Sequence, residues 1–277
     1  MSVFSATPPP LRDIITSFNL RADKSLGQHF LLEPGLLGRI AAAAGDLAGL
    51  NVVEIGPGPG GLTRALLETQ AAHVTAIEYD PRAVAAITAL ASLTDRLTII
   101  QGDALQVDIP TAIPAPRAIV ANLPYNIGTP LLVRWLHEAA AYRSMTLMFQ
   151  QEVAERIAAA PATSAYGRIS VLSQWLCEVD MQMHIPASAF APPPKVDSAL
   201  VRLVPRAVQP LLAEIRAMER LTAAAFGQRR KMLRGSLKGL GGTALLDAAS
   251  IDPSRRAETL HVAEFETLMR AMLARGG

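Results

Sequence analysis

Asn51-Val52-Val53-Glu54-Ile55-Gly56-Pro57-Gly58-Pro59-Gly60-Gly61-Leu62-Thr63 carries three signals in one short stretch. Its apolar, β-branched opening reads as a buried strand, its glycine and proline cluster as a tight turn, and Leu62 onward as the start of a helix. Gly56, Gly58 and Gly61 keep the G-x-G-x-x-G spacing. Glycine there permits a sharp turn and lets the backbone come close to a ligand. Many strand-to-helix turns carry two glycines, so the surroundings must decide what this one does.

Outward from this stretch the same alternation continues. Asn51 to Gly56, His73 to Glu78, Leu97 to Gly102, Arg117 to Asn122 and Ser144 to Gln150 read as strands. Helical segments lie between and after them: Leu62 to Glu68, Pro81 to Leu90, Pro130 to Ala140, Gln151 to Ala159 and Ile169 to Trp175. Earlier, Leu11 to Leu20 and Leu36 to Ala44 read as helices. Strands alternating with helices predict an α/β fold, a doubly wound, mostly parallel, Rossmann-like sheet. Val179 to Ile185 and Ala199 to Val204 differ, because Pro186 to Lys195 between them leaves no room for a helix. They are expected to form an antiparallel edge hairpin. Beyond Pro205 only helical patterns remain: Leu211 to Phe226, Arg229 to Leu240, Thr243 to Ala249 and Ala263 to Leu273. The expected domains are therefore 1–205, carrying the sheet, and 206–277, a small helical domain.

Half of the 277 residues are apolar and 18% are charged, which fits a globular chain rather than a disordered one. The net charge is only +2, but it is unevenly spread, with ten basic residues against three acidic ones between Lys195 and Lys238. Such a block serves a polyanion or simply a solvated helix face, and charge counting does not choose between them. Cys177 is the single cysteine, so an intrachain disulfide is excluded and a reducing compartment fits. It follows the apolar run Val171 to Leu176 and reads as a small buried side chain rather than a nucleophile. The N-terminal region, with Thr7-Pro8-Pro9-Pro10 and Asp13, lacks the layout of a signal peptide, and no apolar stretch reaches the roughly 18 residues of a membrane span. The expected location is the cytoplasm, with no membrane partner.

Glu78 is expected to end the second strand, 22 residues after Gly56. A carboxylate there can accept hydrogen bonds from the two ribose hydroxyls of an adenosine cofactor. Asp103, beside Gly102 at the end of the third strand, can receive the adenine amine. Each acid alone could be a helix cap, as Asp80 and Asp108 are expected to be. Ligands in open α/β sheets gather at the carboxyl ends of strands, and three such ends favour a cofactor site. These residues do not yet separate a nicotinamide dinucleotide from S-adenosylmethionine.

Asn122-Leu123-Pro124-Tyr125, directly after the fourth strand, makes the separation. The nitrogen of an adenine amine is a poor nucleophile because its lone pair is delocalised into the ring. A site must hold it in line with the methyl–sulfur bond and favour a pyramidal nitrogen. An Asn oxygen and a backbone carbonyl fixed by the following proline can accept the two amine hydrogens, and Tyr125 can stack on the base, worth roughly 1–3 kcal/mol. Catalysis then comes from orientation and dipole placement, without a strong base. Phe190 opens the proline-stiffened stretch Phe190 to Ser198 and can supply the opposite stacking face, although a plain linker has the same composition. The five histidines are scattered without ligand spacing, so no metal is expected.

Taken together, these blocks resemble the small-subunit (16S) ribosomal RNA adenine dimethyltransferases, the dimethyladenosine transferase family. Five ordered blocks carry the resemblance: Lys24 to Leu31, Glu54 to Thr63, Asn122 to Tyr125, Phe190 to Ser198 and Phe226 to Leu233. It implies S-adenosylmethionine as methyl donor, no metal, and cofactor contacts at His29, Leu31, Gly56, Gly58, Glu78, Asp103 and Asn122. It implies catalytic roles for Asn122, Leu123, Pro124, Tyr125 and Phe190. His29 stands where the family usually has Asn, and Gly235 where Asn is common. The substrate implied is 16S rRNA in an immature small subunit, methylated twice on each of two adjacent adenosines in a hairpin loop near its 3′ end. Arg229, Arg230, Lys231, Arg234 and Lys238 would grip the RNA, and the enzyme would act as a monomer. The rival readings are a large-subunit rRNA adenine methyltransferase, a non-catalytic assembly factor that kept the fold, and, more distantly, an NAD-dependent oxidoreductase.

Overall fold

The computed structural model describes residues 3–20, 29–228 and 230–276. Among these described residues nine strands follow in chain order: β1 (Phe30–Leu31), β2 (Asn51–Ile55), β3 (His73–Glu78), β4 (Leu97–Gln101), β5 (Arg117–Asn122), β6 (Met145–Gln150), β7 (Cys177–Ile185), β8 (Phe190–Ala191) and β9 (Ser198–Pro205). Seven of them form one sheet in the order β4-β3-β2-β5-β6-β9-β7, and β1 and β8 make a separate two-stranded sheet. Neighbours from β4 to β6 run parallel, while β9 runs antiparallel to β6.

The parallel strands are apolar at successive positions because both faces are covered. Val52 and Val120 point to one face, Val53 and Ile119 to the other, and all four are buried. On the Val52 face the core draws in Leu37 and Ile40 from helix Pro34–Ala43, Leu66 and Leu67 from Gly61–Leu67, and Ile87 and Leu90 from Pro81–Ala91. From β2 the chain steps outward to β3 and β4, then returns across β2 to begin β5. The strand order therefore reverses between β2 and β5, and a crevice opens above their carboxyl ends.

Several expectations are sharpened here. The last two strands are hydrogen-bonded neighbours, but β7 holds the edge and β9 lies inside it, against β6. The expected helix Arg229 to Leu240 is not continuous. Met232 is extended, a one-turn helix runs Leu233–Ser236, and a 3-10 turn follows over Lys238–Leu240. The amides of Leu233 and Arg234 are taken by the carbonyls of Arg255 and Pro253, so a tertiary contact overrides helical propensity. Asp80 and Asp108 do cap helices, accepting from Arg82 N and Thr111 N.

Contacts divide the chain into two compact units: Met1–Arg134, Ala140–Ala154 and Asp180–Val204 in the first, and Trp135–Ala139, Glu155–Val179 and Pro205–Gly277 in the second. The expected cut after residue 205 falls near the last of these crossings. Residues 135–139 and 155–179 group with the C-terminal helices because helix Arg168–Leu176 packs on Leu212–Gly227 and Val262–Ala274. Within the second unit Phe226 stacks on Phe265 at 5.6 Å and meets Tyr166 edge-on at 6.0 Å. Among the described residues no helix is long and apolar enough to cross a membrane.

Arg117 anchors the start of β5 from inside the first unit. Its buried guanidinium donates to the carbonyls of Ile113 (2.9 Å), Ala141 (3.2 Å) and Pro110 (3.2 Å). Replacing it removes charge-assisted donors and strands three acceptors. Arg117→Met is expected to lower stability by roughly 2–4 kcal/mol. A urea midpoint equal to that of the parent would refute this anchoring role.

Candidate active site

At the crevice above β2 and β5 lies a cavity of about 310 Å³, within the range of small-molecule sites and contained in the first unit. Its floor is the turn after β2. Gly56 and Gly58 take φ of +64° and +53°, the left-handed region where a side chain is strained. A Cβ on Gly58 would also sit 3.0 Å from the Phe30 ring. The glycine spacing seen in the sequence thus has a steric cause at this floor.

Glu78 links this turn to the next strand. Its buried carboxylate accepts from Gly58 N (3.2 Å), Tyr79 N (2.8 Å) and Asp80 N (2.9 Å). Burial raises its pKa, and the three backbone donors pull the other way. Asp103, on the cavity wall after β4, accepts from Leu105 N at 2.9 Å. Asn122 ends β5 across the crevice, and Leu123, Pro124 and Tyr125 follow it along the wall. The Asn122 amide donates to the carbonyl of His29 at 3.4 Å, which turns its oxygen to the opposite side.

His29 and Leu31 reach the cavity by a route the sequence did not reveal. The two-residue β1 pairs with β8, setting Leu31 opposite Phe190 and Phe30 opposite Ala191. The N-terminal segment is thereby fastened to the proline-rich stretch. His29 Nδ1 lies 2.8 Å from Pro192 O, and its ring touches both Tyr125, at 5.8 Å and 31°, and the edge of Phe190, at 6.4 Å. Phe190 itself is only 4% exposed and packs into the core rather than lining the cavity. His29, Leu31, Gly56, Gly58, Glu78, Asp103 and Asn122 to Tyr125 are brought together here, with Phe190 behind His29. Lys24 to Gln28 of the N-terminal block lie outside the described residues.

Tyr79 and Glu54, given no role in the sequence reading, also line the cavity. Tyr79 follows Glu78 and is 68% exposed, a large aromatic side chain left at the cavity beside the acid that ends β3. Its signal in the sequence was its place directly after the strand-ending acid. Glu54, inside β2, is buried and accepts from Thr63 Oγ1 at 2.6 Å. Burial pushes its pKa up to about 8, with the Thr63 bond opposing and the charge of Glu78 adding to the rise. Cys177 is buried, and burial pushes its thiol up to about 12, so it is an inert core side chain.

The basic positions belong to the second unit. Arg230, Lys231, Arg234 and Lys238 are all exposed, presented from a turn, a one-turn helix and a 3-10 turn. Arg229 lies outside the described residues. Among the described residues no group of three or more His, Cys, Asp or Glu gathers as a metal site would require.

Residues 19–273 match the family described as ribosomal RNA adenine dimethylase. The chain belongs to this family. It is 58% identical to the ribosomal RNA small subunit methyltransferase A of Gluconobacter oxydans, covering 96% of this chain and 88% of that protein. The Mesorhizobium japonicum protein of the same name is 53% identical over 95% of this chain and 98% of its own length. Among solved structures, a dimethyladenosine transferase from Plasmodium falciparum matches with TM-score 0.77 at 26% identity, covering 90% of this chain and 98% of that one. The 23S rRNA methyltransferase ErmE matches with TM-score 0.68 at 30% identity, covering 88% and 99%. The adenine dimethylase family thus shares the Rossmann-like sheet described above.

Glu54 gives this site a pH signature. Its value is 4.5 when unperturbed and about 8 in the fold, so the folded state holds an extra proton between these limits. The stability tied to this carboxyl is complete below 4.5 and is lost as pH rises through 8. Glu54→Gln should flatten the pH dependence of the urea midpoint over about pH 5–8 and leave the variant more stable than the parent at the upper end. Some slope remains, because Glu78 is raised in the same sense. Parallel curves for variant and parent would contradict the assignment.

Proposed function

We propose that this chain transfers methyl groups from S-adenosylmethionine to the N6 amine of two adjacent adenosines in a 3′-terminal hairpin loop of 16S rRNA. The product is N6,N6-dimethyladenosine, formed in the cytoplasm on an immature small ribosomal subunit by a monomeric enzyme. One observation carries the reading: Asn122 to Tyr125 and the Gly56–Gly58 turn with Glu78 share one cavity across the reversal of strand order. The family and the small-subunit relatives support the choice of RNA.

The residues present fit an adenosine-bearing cofactor. A Cβ on Gly58 would crowd the Phe30 ring at the cavity wall, and Glu78 is a buried carboxylate that accepts from Gly58 N of that turn. Glu78 would take the ribose hydroxyls and Asp103 the adenine amine, with His29 and Leu31 closing one side. S-adenosylmethionine supplies an activated methyl group on a sulfonium sulfur. Asn122 Oδ1 and the carbonyl of Leu123 accept the two hydrogens of the target amine, which orients its lone pair. Tyr125 stacks on the base, and Phe190, packed behind His29, is the residue proposed for the opposite face. The methylated nitrogen is acidic enough to shed its proton to solvent, so no side-chain base is needed.

In this reading residues 1–205 are the methyltransferase domain and 206–277 the RNA-binding domain, where Arg229, Arg230, Lys231, Arg234 and Lys238 contact phosphates. Loop adenines, already unstacked, cost little to bring into a pocket.

Purified immature small subunits should be methylated at adenine N6, and large-subunit RNA should not; the reverse pattern would select the ErmE-like alternative. Asn122→Ala should lower methyl transfer by about 100-fold or more while RNA affinity stays near that of the parent. Equal losses in both would remove its assigned role. Replacing Arg230 and Lys231 by Ala should weaken RNA binding and reduce the slope of log K against log salt by about 2. An unchanged slope returns these residues to an ordinary solvated face.

A further inference from the structure

We propose that Ser198 is a positioning residue for Tyr125, its hydroxyl holding the phenol ring in the plane needed to stack on the target base. The inference rests on the function proposed above and extends it to a residue in the sheet.

Tyr125 lies in a turn between β5 and helix Gly128–His137, closed by the bond from Ile127 N to Pro124 O. A turn fixes the backbone but leaves an aromatic side chain free to swing, since its terminal torsion is broad and soft. Stacking strength depends on how the two ring faces overlap, so a swinging ring is a poor platform. The only end of a tyrosine ring that can be tied without covering its faces is the para oxygen. Tyr125 Oη is 2.7 Å from Ser198 Oγ.

Ser198 is suited to hold it. It is 0% exposed and opens β9, in register with Gln150 at the end of β6. The residue before it is pinned as well. The carboxylate of Asp197 accepts from Ala187 N (2.8 Å) and lies 3.0 Å from His184 Nε2, while its carbonyl accepts from Gln151 N at 2.9 Å. The serine oxygen therefore sits at a fixed point of the sheet, and the loop tyrosine is the partner that adjusts. Burial raises the phenol's pKa, which keeps it neutral and able to share this bond. A bond that merely satisfied two polar atoms would affect stability and leave turnover alone.

The test is a double-mutant cycle read on methylation of immature small subunits, with thermal stability measured in parallel. Ser198→Ala and Tyr125→Phe should each lower kcat by about 5- to 10-fold, with little change in the KM for S-adenosylmethionine. The double variant should fall no further than either single one, because one bond is lost in all three. Ser198→Thr, which keeps the hydroxyl, should retain most of the activity. Multiplicative losses in the double variant, or parental kcat in Ser198→Ala, overturn the proposal. If Ser198→Ala does not fold, Tyr125→Phe still breaks the bond while leaving the sheet untouched, and parental kcat there is equally decisive. Tyr125→Ala separates the two levels. A crippled Tyr125→Ala beside a fully active Ser198→Ala sinks only the positioning role, whereas a fully active Tyr125→Ala removes the stacking role on which it rests.

Discussion

The buried carboxylate of Glu78 is the constraint from which the rest of the site follows. It ends β3 and gathers the amides of Gly58, Tyr79 and Asp80, so the turn after β2 and the turn after β3 share one set of acceptor oxygens. Three donors offset much of the cost of burying a carboxyl group, as the opposing influences on its pKa record. The geometry works only if Gly58 adopts its left-handed conformation, and that requirement explains the glycine there. With these two turns fixed, β5 returning to the far side of β2 delivers Asn122 to the same crevice.

A second tie operates across the sequence rather than along the sheet. The short β1–β8 pair and the His29–Pro192 contact bring the N-terminal segment onto the proline-rich stretch. His29 then contacts the two aromatic rings between which the proposed chemistry places a base. Its carbonyl also receives the Asn122 amide, so the same residue sets which side of that carboxamide offers oxygen. The sides of the cavity that the proposal gives to cofactor and base are thus joined through one backbone position.

The parallel core was legible because its strands are buried on both faces and bounded by glycines and acids. His73–Glu78 and Arg117–Asn122 have the ends read from the sequence. The Glu54 to Thr63 and Asn122 to Tyr125 blocks were legible for a related reason, since each sits where a parallel strand ends and a backbone constraint leaves a fixed residue type. What escaped was tertiary. Two residues of β1 are too few to show a period, and their partner in β8 lies far along the chain. The break at Met232 comes from the carbonyls of Pro253 and Arg255, which no local pattern around Arg229 to Leu240 announces. Burial of Phe190 likewise depends on packing with Leu31 and Ile185 rather than on its own neighbours in sequence.

In the proposed function the cavity flanked by Glu78 and Asn122 methylates adenine in small-subunit RNA. Mapping dimethyladenosine in ribosomal RNA from cells with and without this protein tests it most directly. Two adjacent dimethyladenosines near the 3′ end of 16S rRNA are expected to vanish when the protein is removed and to return when it is restored. Their persistence in cells lacking the protein, or loss of a methylated adenine from large-subunit RNA instead, would contradict it.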